Sequence, residues 1–100
     1  MLNISKEIEN GKCTLTLEGR LDTVTAPDLE KEMPAVVEEA NELIMDFEKL
    51  EYISSAGLRV LLMAHKTMAK KGGLKVVRVN ETIMEIFEVT GFADILTVET

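Results

Sequence analysis

The sequence predicts an α/β domain: a mixed sheet of four to five strands, opened by an N-terminal β-hairpin, with helices packed on it. Three observations carry this. Asn10-Gly11 separates two short strand-like segments, later apolar runs alternate with helix-spaced segments, and 46% of the 100 residues are hydrophobic, enough for one core. A chain of this length is expected to form a single domain, residues 1–100, that buries roughly two-thirds of its unfolded surface.

The hairpin comes first. Leu2 to Ile8 and Lys12 to Glu18 flank Asn10-Gly11, a pair that tolerates the positive φ angles of a two-residue turn. Cys13, Leu15 and Leu17 alternate with Thr14, Thr16 and Glu18, the period of a half-buried strand. Gly19 to Thr23 then reads as a loop into a helix, with Thr25 as N-cap, Pro27 in the first turn and Asp28 at the third helical position. Leu29, Met33, Val36 or Val37, and Ala40 recur at helical spacing, but Pro34 predicts a kink or an early end.

Leu43 to Phe47 is a nearly continuous apolar run, as expected of a central strand covered on both faces. Glu48 to Ile53 reads as a connection with Leu50 and Ile53 tucked inward. A second helix follows, with Leu58, Leu61, Leu62, His65, Met68 and Ala69 on one face. Lys70-Lys71 suit its negative end, and Gly72-Gly73 stop it. Leu74 to Val79 is expected to be a strand and Glu81 to Thr90 a third helix ended by Gly91. Ala93 to Val98 fits either a short helix or an edge strand.

Composition narrows the function. The formal net charge is −7, which repels a phosphate backbone, so nucleic acid is not an expected partner. The acidity suits a partner with a basic face, and serves solubility equally well. One cysteine, Cys13, excludes an intrachain disulfide and reads as a buried thiol. The first residues lack a basic segment followed by an apolar block, and no apolar run approaches spanning length. A cytoplasmic protein without membrane attachment is therefore expected.

Catalysis finds little support. The nucleophile-elbow pattern Gly-x-Ser-x-Gly fails because Ile53 stands two residues before Ser55. His65, the single histidine, lies ten residues along the same helix, about 15 Å away at 1.5 Å per residue. One Cys and one His cannot close a zinc site, and the acidic residues lack calcium-loop spacing. Lys70 to Lys75 does not match a phosphate loop. An enzyme, a metal or a cofactor is thus not expected. Met45, Met63, Met68 and Met84 read as core filler, although Met33 and Met63 would also suit an adaptable contact surface.

Tyr52-Ile53-Ser54-Ser55-Ala56-Gly57-Leu58 places two serines where a strand gives way to a helix. A helix N-terminus offers unpaired N–H groups and a partial positive charge, which welcome a phosphate. With Ser54 as N-cap, Ser55 takes the first helical position with its hydroxyl outward and free. Ala56 and Gly57 keep the surroundings small for an approaching active site. Residue chemistry alone favours the plainer reading that both serines are capping residues only, since serine caps are routine.

Leu50 to Leu62, centred on Ser54-Ser55-Ala56-Gly57-Leu58-Arg59, resembles the signature of STAS-domain anti-sigma factor antagonists. Glu18-Gly19-Arg20-Leu21-Asp22, Thr25-Ala26-Pro27, Gly72-Gly73 and Thr90-Gly91-Phe92 are similar to that family too, so the resemblance spans the chain. It implies a partner switch in bacteria. The unmodified antagonist binds an anti-sigma factor that is also a serine kinase of the histidine-kinase-like ATPase type, which frees a sigma factor. Phosphorylation by that kinase ends the association, and a metal-dependent serine phosphatase reverses it. The acceptor implied is Ser55, with Ser54 a weaker candidate; sporulation-type members carry Asp where Ser54 stands, so a negative charge beside the acceptor is absent here. The implied partner surface comprises Asp22, Thr23, Thr25, Ser54, Ser55, Ala56, Gly57 and Arg59. Alternatives are a non-phosphorylated STAS adaptor in a larger complex, such as a lipid-transport assembly, and a small-ligand or nucleotide sensor. A neighbouring kinase gene, neighbouring transporter genes, or nucleotide binding by the isolated chain would separate the three.

Overall fold

The computed structural model describes residues 2–100. Five strands form one mixed sheet in the order β1-β2-β3-β4-β5. They are β1 (Leu2–Glu9), β2 (Lys12–Leu21), β3 (Glu42–Ile53), β4 (Leu74–Val77) and β5 (Thr97–Val98). The helices are α1 (Ala26–Glu39), α2 (Ser55–Met68), α3 (Glu81–Thr90) and α4 (Phe92–Ile95). Only β1 and β2 are antiparallel, joined through Asn10 and Gly11 at φ 53° and 82°, both in the left-handed region that the tight turn demands. The other pairings are parallel, so each requires a crossover of helix or coil.

One face of the sheet is apolar. Cys13, Leu15 and Leu17 on β2 and Leu43, Met45 and Phe47 on β3 are all buried, as the two-residue period requires. Leu29, Met33 and Val36 of α1, with Val60, Leu61, Ala64 and Met68 of α2, complete that core. Phe87 of α3 packs on Phe47 with ring centroids 6.5 Å apart. Cys13 is fully buried, and burial pushes its thiol pKa up.

Several elements differ from the sequence reading. Gly19 to Leu21 belongs to β2 and Glu48 to Ile53 to β3, where a loop and a connection were expected. Both stretches stay paired because β-bulges between Thr16 and Glu18 and between Gly19 and Arg20 absorb the irregular pattern. Helix α1 continues past Pro34 to Glu39; Pro34 is exposed, so the carbonyl that loses its donor can turn to water. Ala69 is exposed, and α2 buries Val60 and Ala64 in its place.

Lys71 serves α1 rather than α2. Its ammonium donates to the carbonyls of Val37, Glu38 (3.1 Å) and Ala40 (3.0 Å), closing the negative end of a helix without a basic residue in its last turn. The final segment, for which the sequence left helix and edge strand as alternatives, holds one after the other, helix α4 and then edge strand β5.

One buried acid lies off the apolar face. Asp46 is 6% exposed and accepts from Arg78 Nε at 3.2 Å and from the Glu48 amide at 3.0 Å. Burial pushes the carboxyl pKa up, but these bonds outweigh it and hold the value below the usual carboxylate range. A depressed native pKa contributes stability above about pH 4, lost as pH falls through the native value. Acid unfolding of the wild type should therefore steepen below about pH 4, and Asp46→Asn should flatten that limb. An unchanged acid limb in urea titrations would remove Asp46 from this role.

Candidate functional site

Parallel pairing of β2 and β3 brings the ends of both strands to one edge, with Leu21 opposite Ile53. The chain leaves β2 into α1 and β3 into α2, so both helices begin there, beyond the carboxyl ends of the strands, where α/β sheets commonly place their sites. The Ser54 amide donates to the Leu21 carbonyl at 2.8 Å, which pins the serine segment to the loop at 22–25.

Ser54 has an extended backbone, φ −99° and ψ 175°, and its Oγ accepts a long 3.5 Å bond from the Gly57 amide. It is therefore the N-cap. Ser55 follows at the first position of α2 and is exposed. The first turn of α2 carries no acidic residue, so nothing there offsets the positive end of the helix. Arg59, one turn on from Ser55, is exposed and has no acidic partner among the described residues.

Gly57 has another purpose than the expected open approach. It is buried, and a Cβ built on it would lie 2.7 Å from Leu21 Cγ and 2.9 Å from Ile53 Cγ1. The absent side chain lets α2 sit down on the strand ends.

Asp22 organises the loop. Its Oδ1 accepts from the Val24 and Thr25 amides, each at 3.0 Å, and its Oδ2 lies 3.8 Å from Arg20 Nε. The backbone bond from Thr25 is the main reason its carboxyl pKa is lowered. Thr25 precedes α1, yet its side chain caps nothing. Its hydroxyl accepts from the Asp22 amide at 2.9 Å and donates to the Arg20 carbonyl at 2.8 Å. Thr25 is 5% exposed, so it braces the loop from inside and presents no surface. Thr23 is exposed, Asp22 and Ala56 partly so.

Two neighbours escaped the sequence reading. Val24 is 82% exposed at the loop tip; its signal was an apolar residue between Thr23 and Thr25, out of phase with the helix. Arg20 stacks on Tyr52, 4.8 Å from the ring centroid, as their pairing in register allows.

The model of one family, the STAS domain, matches residues 3–100. The chain belongs to the STAS domain family. Within it, BtrV of Bordetella bronchiseptica, described as an anti-sigma factor antagonist, is 34% identical over 91 residues, covering 89% of this chain and 78% of that protein. The crystal structure of an anti-sigma factor antagonist from Mycobacterium paratuberculosis matches with a TM-score of 0.90 at 26% identity, over 99% of this chain and 86% of that one. The STAS fold is shared with SpoIIAA of Bacillus, solved unphosphorylated and phosphorylated, at TM-scores of 0.76 and 0.75. Identities there are 15% and 17%, over 98% of this chain and 87% and 92% of those chains respectively.

Among the described residues of this STAS domain, no group of three or more His, Cys, Asp or Glu could hold a metal. Among the described residues, no helix is long and apolar enough to cross a membrane.

Proposed function

We propose that this chain is an anti-sigma factor antagonist governed by phosphorylation of Ser55. Unmodified, it binds an anti-sigma factor that is also a serine kinase of the histidine-kinase-like ATPase type, and so releases a sigma factor. The kinase transfers the γ-phosphoryl group of ATP to the Ser55 hydroxyl, and a serine phosphatase removes it by hydrolysis. The observation that carries this reading is the exposed Ser55 at the first position of α2, beside a cap supplied by a different serine. The antagonist names of its relatives and the existence of a phosphorylated neighbour of the same fold support it.

The physics is local. A phosphate adds roughly −1.5 to −2 charge, which a helix N-terminus accommodates. The fold should stay intact while the interface changes. Bulk and unpaired charge against a partner surface cost several kcal/mol, enough to end binding.

Mass spectrometry after incubation with ATP and the purified candidate kinase should find one phosphate, on Ser55, and none in Ser55→Ala. Phosphate confined to Ser54, or none at all, would overturn the reading. Ser55→Ala should also remain bound to the kinase in the presence of ATP, when the wild type dissociates.

A further inference from the structure

The charges of this acidic chain are sharply segregated. All 18 Asp and Glu residues lie outside residues 52–80, which hold Arg59, Lys66, Lys70, Lys71, Lys75 and Arg78. Three of these are already engaged: Lys71 at the end of α1, Lys75 with Glu99, and Arg78 with Asp46 and Glu48. Arg59, Lys66 and Lys70 are exposed and form no ion pair among the described residues.

Their spacing puts them in line. Positions 55, 59, 66 and 70 differ by 4, 7 and 4, close to one, two and one turns of a helix with about 3.6 residues per turn. Ser55 therefore heads a basic stripe along the outer side of α2, continued by Lys70 just past its end. Met63 flanks the stripe, 53% exposed, and offers an apolar contact beside the charges.

We propose that this stripe is a docking surface for an acidic face of the anti-sigma partner, which rests on the antagonist reading above and extends its interface along α2. Charge complementarity selects the occupant. An extended polyanion, such as a duplex or an anionic bilayer, would meet the rest of the chain, where 18 acidic residues face five basic ones. A compact acidic face the length of one helix meets only the stripe. A phosphate on Ser55 then sets negative charge at the head of a track that attracts negative charge, so the same modification weakens steering as well as contact.

The test is stopped-flow association with the purified anti-sigma kinase of the same organism at low and moderate salt. Wild type, the doubly reversed Lys66→Glu/Lys70→Glu, the neutral Lys66→Gln/Lys70→Gln and a Lys31→Glu control on α1 would be compared, each with its circular dichroism spectrum. The reversed pair should associate about tenfold more slowly at low salt, with a flatter salt dependence, and the neutral pair should fall between it and wild type. Lys31→Glu should behave as wild type. Wild-type binding that the α2 variants leave unchanged would overturn this surface and leave the antagonist reading standing. Absence of wild-type binding would overturn both. Wild-type binding to phosphatidylglycerol vesicles or duplex DNA, lost in the reversed pair, would overturn the choice of a protein occupant.

Discussion

Ser55→Asp is expected to fold as the wild type does and to bind its anti-sigma partner about 100-fold more weakly, roughly 3 kcal/mol. Both halves follow from where Ser55 sits. At the first position of α2 a carboxylate meets the positive end of the helix, so stability should change by no more than about 0.5 kcal/mol. The same carboxylate would have to be desolvated against the acidic partner face proposed above, which offers it no counter-charge. Isothermal titration with the partner and urea unfolding of the variant separate the two. Equal affinity for both proteins would remove Ser55 from the interface, and a large stability loss would mean that the residue matters to folding instead.

The second large effect is at Gly57. In an ordinary helix, replacing Gly with Ala gains about 1 kcal/mol. Here the new Cβ would enter 2.7 Å from Leu21 Cγ and 2.9 Å from Ile53 Cγ1, both side chains buried. Gly57→Ala should therefore lose stability, and Gly57→Val should lose about 2–3 kcal/mol through overpacking. Adding Leu21→Val should return part of that loss, since the two positions share one space. A stabilised Gly57→Ala would show that the strand ends yield freely and that the close seat of α2 is unimportant.

Local chemistry announced much of this molecule. Asn10-Gly11 marked the hairpin because few pairs accept two positive φ angles. Gly91 ended α3 at φ 83° for a related reason. Ser54 and Ser55 fell at the cap and first position of α2 as read, since a strand-to-helix junction depends on neighbours in sequence. Most of the failures have a different cause. Gly19 looked like a loop residue, but the neighbouring strand holds it in the sheet. Thr25 looked like a cap, but the Arg20 carbonyl and Asp22 amide claim its hydroxyl. Lys71 was assigned to the nearest helix end, whereas it bonds one more than thirty residues upstream. Gly57 was read for what could approach from outside, when Leu21 and Ile53 press on it from within. Except at Thr25, whose partners Asp22 and Arg20 lie three and five residues away, each error came from a contact between distant parts of the chain.

From the pair Thr16–Asp46 to the pair Leu21–Ile53, β2 advances five positions and β3 seven. Added or deleted residues in that half of the sheet would rotate Ser55 toward another face or withdraw it. Length changes at the Asn10–Gly11 turn, at the far end of β2, would leave it in place. One pole of the molecule thus tolerates a change of length, and the opposite pole must keep count.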